Sequence, residues 1–213
     1  MGDYNNCSDW DYSNHPKING VVYRSANFLA AFRRKTSAFD KFGYSTLRGH
    51  WYLFYRMAPD TCPYLVGNYR GSNYPCLINC RVTVGMDNRV GWVPPHMISN
   101  FIQGMEDSLQ KALVAFATQN PVVDAKGKPA PNAVRLSRFI PIVANFLQLF
   151  LTIHPYANGN GHMARMLVWV LLGRAGFWPR KWPLHSSPNY YTALSSHRDG
   201  NKAPLEQFIL STI

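Results

Sequence analysis

Two apolar stretches of helical length stand on either side of nine polar or small residues: FIPIVANFLQLFLTI at 139–153 and MARMLVWVLLGRAG from 163, with HPYANGNGH between them. Their apolar residues recur at helical spacing, not in the alternation of strands. Asn-Gly is also a common signal for a tight hairpin, but a hairpin needs flanks with a period of two. Neither flank has it, so the segment reads helix, loop, helix. The first stretch is interrupted by Pro141, Asn145 and Gln148 and is shorter than the ~20 residues of a membrane span. It is expected to be a buried central helix.

The residues between the two helices suit one kind of chemistry. Gly159 and Gly161 permit positive φ, so successive N–H groups can converge into a nest for an anion. The loop also feeds a helix N-terminus, where unpaired N–H groups and the macrodipole favour phosphate. A lone histidine after an apolar helix is ordinarily a core or capping residue. His154, however, stands at the rim of this nest, and a neutral imidazole with a pKa near ~6.5 can accept a hydroxyl proton. His162 and Arg165 are three residues apart and share a helical face. Arginine is a permanent cation whose fork matches phosphate oxygens. A base, an anion cradle and a cation within twelve residues point to phosphoryl or nucleotidyl transfer.

The remainder of the chain narrows the class. At 213 residues, with 46% hydrophobic and 14% aromatic content, it can build one well-cored domain. The net charge of +11 favours anionic partners. Its basic residues are nonetheless scattered, with only short clusters such as Arg33-Arg34-Lys35 and Arg180-Lys181, so a nucleic-acid partner is not expected. Cys7, Cys62, Cys76 and Cys80 form no CxxC pair and no zinc spacing, and reduced thiols are the expectation. The N-terminal residues lack the pattern of a signal peptide, which makes a cytoplasmic protein without a membrane anchor the expected form.

Along the chain, a helix is expected at 22–39, then loops with short strands over 44–90, including a strand at Arg81-Val82-Thr83-Val84-Gly85. Val93-Pro94-Pro95 opens a helix, since proline is tolerated in a first turn. Met97, Phe101, Met105, Leu109 and Leu113 should line its face. A polar loop is expected at 124–132, and helices near 188–197 and from 204 follow the central pair. The expected fold is mainly α, a helical bundle with a small β-hairpin flap: an N-terminal helical elaboration over 1–60 and a core domain over 61–213.

Read together, HPYANGNGHMAR at 154–165 resembles the Fic (filamentation induced by cAMP) family signature HPFx(D/E)GNGRxxR. Gly67-Asn68-Tyr69-Arg70, the 81–85 strand, the Pro94-Pro95 pair, and Tyr190-Tyr191 through Asp199-Gly200-Asn201 to Pro204-Leu205 and Phe208 are similar to further family features in the same order. The resemblance implies transfer of AMP or a related phosphate-containing group from ATP or another nucleotide to a Ser, Thr or Tyr hydroxyl of a protein, with Mg²⁺. It implies His154 as base, with Asn160, Gly159 and Gly161 holding the α-phosphate and Arg165 gripping the terminal phosphates. Tyr191 would lie beside the base, and Val82, Thr83 and Val84 would dock the target by strand addition.

Besides the conservative Tyr156 in place of Phe, three positions depart from the family pattern. Asn158 replaces the carboxylate that helps to hold Mg²⁺, and an uncharged amide is a weaker ligand for a hard cation. His162 replaces the first arginine, exchanging a fixed cation for a titratable one. Arg198 lies where an asparagine contacts adenine, and arginine can only donate. The alternative to an enzyme is therefore a degenerate Fic fold that binds a nucleotide or a protein. The only glutamates, Glu106 and Glu206, do not fit the family's inhibitory motif, so if Arg165 is blocked, either a separate antitoxin-like chain does it, in a toxin-antitoxin arrangement, or the mechanism differs.

Overall fold

In a computed structural model, the described residues are 10, 12, 15–34, 42–82, 84, 89–120, 132–179 and 189–213, with the backbone alone for 32–34, 42–45 and 189–190. Among them the regular elements are α-helices, with short 3-10 turns, and no strand. The helices are α1 (Asn19–Arg34), α2 (Phe42–Leu53), α3 (Ile98–Gln119), α4 (Ala133–Ile153), α5 (Asn160–Arg174), α6 (Asn189–Arg198) and α7 (Ala203–Leu210). Val82 and Val84 are not in a strand, while Thr83 and 85–88 lie outside the described residues. A β-branched run needs a paired neighbour to become a strand, and the described residues offer this one none. The polar loop expected at 124–132 also falls outside them, apart from Asn132.

The chain divides into two compact units: residues 1–106 with 150–164, and residues 107–149 with 165–213. In the first unit α1 packs on α2, and Arg24 Nε donates to the Leu53 carbonyl at 2.7 Å. Helix α2 replaces the loops and strands expected there. Its described buried residues are Thr46, Gly49, His50 and Leu53, with Phe54 just past its end, so half of them are polar. An apolar periodicity search passes over such a face. Near its end Cys62 and Cys76, fourteen positions apart, bring their Sγ atoms to 3.5 Å, and the Tyr64 hydroxyl donates to Cys76 Sγ at 3.3 Å.

A single 3-10 turn, Pro95–Met97, precedes α3. Its inward face is Ile98, Ile102, Met105, Leu109, Leu113 and Phe116, whereas Met97 is 37% exposed. The face is therefore rotated by one residue at its start, because the proline-led turn has a tighter pitch than the α-helix. Helix α4 begins six residues before the apolar run, where Asn132 Oδ1 accepts the N–H groups of Val134 and Arg135 at 2.9 and 3.1 Å. That is an N-cap. At 21 residues α4 is long and apolar enough to cross a membrane by length and composition, and half of its most apolar window is buried inside the protein. Helix α5 buries residues on every side, among them Met163, Met166, Leu167, Val168, Val170 and Leu171. A helix apolar all round belongs in a core. In the second unit α6 packs on α7 across the turn at Asp199-Gly200.

Candidate functional site

The site starts where α4 stops. His154 N–H still donates to the Phe150 carbonyl at 2.9 Å, but its φ of 48° is left-handed. For a side chain with a Cβ that conformation costs about 1–2 kcal/mol, and the last carbonyls of a helix need partners of their own. Arg70 meets both needs. It is 1% exposed, and its guanidinium donates to the carbonyls of His154 at 2.6 Å, Ile153 at 2.7 Å, Val93 at 2.8 Å and Gly91 at 3.2 Å. Its backbone N–H donates to the Pro155 carbonyl at 2.8 Å. Burial lowers its pKa to about 10, which leaves it a cation at neutral pH. Glycine at 71 is obligatory beside it: φ is +87°, and a Cβ would stand 1.8 Å from the Pro95 carbonyl oxygen.

The ring of His154 is oriented by its own helix. Nδ1 makes a short hydrogen bond to the Leu151 carbonyl. A carbonyl only accepts, so Nδ1 carries the proton and the neutral ring has its lone pair on Nε2.

Asn160, the first residue of α5, closes the loop on itself. Its Oδ1 accepts Tyr156 N–H and its Nδ2 donates to the Tyr156 carbonyl, both at 2.9 Å. The Tyr156 ring is fully buried and stacks on His50, with centroids 3.9 Å apart and planes 7° apart. His50 is also fully buried. Its Nδ1 accepts Gly67 N–H at 2.9 Å, so its proton sits on Nε2 and is donated to the Asn158 carbonyl at 2.9 Å. Burial pushes the His50 pKa down to about 4, the bond to Asn158 opposing this only in part. Burial likewise raises the hydroxyls of Tyr69, to about 12, and of Tyr156.

The two loop glycines behave differently. Gly159 has φ +81°, and a Cβ there would lie 2.5 Å from the Phe54 ring and 3.2 Å from His50 Nε2. Gly161 is helical, within the first turn of α5, and no atom lies within 4 Å of where its Cβ would be. Only one of the pair therefore uses the left-handed freedom expected of both. The first loop-to-helix bond runs from Met163 N–H to the Gly159 carbonyl, so the N–H groups of Asn160 and Gly161 precede the helical ladder.

Asn158 spends both ends of its amide on backbone. Oδ1 accepts Gly159 N–H at 2.7 Å, and Nδ2 donates to the Trp10 carbonyl at 2.7 Å. Trp10 is anchored in turn by its indole N–H on the Met57 carbonyl at 2.8 Å. An amide oriented this way offers little to a metal. Among the described residues no group of three or more His, Cys, Asp or Glu could hold one. Asn158 as oriented does not fit the role of a Mg²⁺ ligand. His162 lies among aromatic rings, 5.5 Å from Tyr12 and 6.0 Å from Phe54 between centroids.

The first unit thus brings together His154, Asn158, Gly159, Asn160, Gly161 and His162. Arg165 follows His162 by three residues on α5, and Tyr191, 70% exposed, and Arg198 lie on α6; all three belong to the second unit. Sequence reasoning assigned no part in the site to Trp10, Tyr12, His50 and Phe54. Arg70, within the Gly67–Arg70 segment, carries no role in the sequence pattern. A signal existed for His50, which stands four residues after Thr46 and four before Phe54.

Residues 88–172 match the family model Fic/DOC family. No curated protein matches the chain in sequence. In structure it is similar to BepC, a VirB-translocated effector protein of Bartonella tribocorum solved with bound AMPPNP. The identity is 17% and the TM-score 0.59, over 92% of this chain and 86% of that one.

Proposed function

We infer that this chain, whose residues 88–172 match the Fic/DOC family model, is a transferase that moves a nucleotidyl, AMP-like or related phosphate-containing group from ATP or another nucleotide to a protein hydroxyl. The observation that carries this reading is the contact of His154 Nδ1 with the Leu151 carbonyl. With Nδ1–H tied to the Leu151 carbonyl, Nε2 is the basic nitrogen, at the start of a loop that ends in a helix N-terminus.

The steps follow from these groups. The N–H groups of Asn160 and Gly161, at the positive end of the α5 dipole, receive the α-phosphate. His154 Nε2 takes the proton of a Ser, Thr or Tyr hydroxyl, whose oxygen bonds to the α-phosphorus. The bond from that phosphorus to the pyrophosphate oxygen breaks and pyrophosphate leaves, its charge met by Arg165. Asn160 acts by holding Tyr156, and Tyr191 and Arg198 are assigned to the base of the nucleotide. Val82, Thr83 and Val84 are assigned to docking of the target. No step is routed through Mg²⁺, because Asn158 is committed to backbone. We place the enzyme in a cytoplasm, with a separate antitoxin-like chain as its inhibitor.

One observation favours a second reading, a nucleotide- or protein-binding module without catalysis. The Gly159 N–H that a phosphate would use is bonded to Asn158 Oδ1. Intact-mass measurement of candidate proteins incubated with the chain and a nucleotide panel, with and without Mg²⁺, decides between them. Adducts that vanish with His154→Ala support the transferase. Nucleotide binding without adducts under any condition supports the module.

A further inference from the structure

We propose that Arg70 is a positioning residue for His154: its buried guanidinium fixes the left-handed backbone at 154 and, through it, the direction of the basic ring nitrogen. The inference deepens the proposed function and rests on it for its catalytic consequence.

Three observations carry it. First, the guanidinium joins two segments. It holds the carbonyls of Ile153 and His154, at the end of α4, and those of Gly91 and Val93, before α3. Second, the bond to the His154 carbonyl, at 2.6 Å, falls on the residue whose φ is 48°, and the Arg70 N–H holds the next carbonyl, that of Pro155, at 2.8 Å. The two carbonyls that define the turn are thus both held by one residue. Third, the His154 ring reaches back to the Leu151 carbonyl, three residues earlier. If the backbone at 154 relaxed into the right-handed region, the Cα–Cβ bond would swing and that contact would break. Arginine is suited to this task because its planar fork reaches several carbonyls at fixed angles. Lysine supplies three donors from one centre and cannot span both segments.

The test is Arg70→Lys, with Arg70→Met as a second variant, read by ring-nitrogen NMR of the uniformly ¹⁵N-labelled full chain and by single-turnover labelling. His154→Ala assigns the His154 signals. The wild-type ring is expected as the Nδ1–H tautomer. In Arg70→Lys it is expected to become a mixture of tautomers, while His50 keeps its Nε2–H pattern. Labelling should slow by about a hundred-fold, the order expected for a displacement near 1 Å, with nucleotide affinity changed less than about two-fold. A folded Arg70→Lys chain that retains the wild-type His154 tautomer overturns the assignment. So does a chain that cannot fold with either replacement, since Arg70 would then serve folding alone. The NMR readout needs no activity: if the chain labels nothing but its His154 tautomer shifts as expected, the proposed function fails and the positioning role stands.

Discussion

Buried polar side chains hold the loop of the first unit, whereas apolar faces carry most of the second. In the first, Arg70 reaches carbonyls 83 and 84 residues away, His50 one 108 residues away, and Asn158 one 148 residues away. In the second, most side-chain bonds are local: Asn120 to Phe116, Thr118 to Val114 and Asn132 to the first turn of α4. Its long-range order comes from contacts such as Phe116 on Phe139, with centroids 4.7 Å apart. A directional bond fixes a backbone atom to within tenths of an ångström, while an apolar face tolerates small slides. The loop that must present a ring nitrogen is built in the first manner.

The comparison can be broken or sharpened by substitution. The largest effect is expected from Gly159→Ala, which combines a left-handed φ with a Cβ 2.5 Å from the Phe54 ring. It should cost about 4 kcal/mol or more in urea denaturation, in the range reserved for strained sites and overpacked cores. Next come one substitution from each unit, His50→Ala and Leu147→Ala, each at about 3 kcal/mol. The first leaves Gly67 N–H and the Asn158 carbonyl without their imidazole, and the second opens a cavity at a residue that is 0% exposed.

Acidity separates those two. The His50 pKa is depressed from 6.5 to about 4 by burial, so the unfolded chain binds the proton more readily. The stability that neutral His50 contributes is present above pH 6.5 and is lost as pH falls towards 4, by at most about 3 kcal/mol. The cost of His50→Ala, measured by urea titration at successive pH values, should therefore shrink between pH 6.5 and 4, and that of Leu147→Ala should not. Equal behaviour of the two would refute the contrast between the units. The smallest effect belongs to Gly161→Ala. Its Cβ meets nothing within 4 Å in a helical turn, so thermal denaturation should find it neutral or stabilised by about 0.5–1 kcal/mol.

The same contrast explains how much could be read beforehand. The faces of α3 and α4 were legible because Met105, Leu109, Leu113, Val143 and Leu147 recur at helical spacing. The helix-loop-helix around 154–162 was legible because its apolar flanks and Asn-Gly repeat allow little else. Helix α2 was not, since Thr46 and His50 occupy half of its inward face and neither counts as apolar. The start of α4 was legible from the polar loop expected at 124–132, whose last residue, Asn132, is the helix cap. The loop's supports were hidden for a different reason. Hydrogen bonds spanning 83 to 148 residues leave no periodic trace, so Arg70 reads as one more basic residue and Trp10 as one more aromatic.

Asn158 donating to the Trp10 carbonyl, 148 residues upstream, has a practical consequence for protein engineering. The stretch 88–172 that matches the Fic/DOC family model does not hold its own loop: positions 10, 50 and 70 all brace that loop from outside those limits. Transplanting the twelve residues 154–165 alone would move the reactive imidazole without its scaffolding, and removing Trp10 would take away the carbonyl that Asn158 holds.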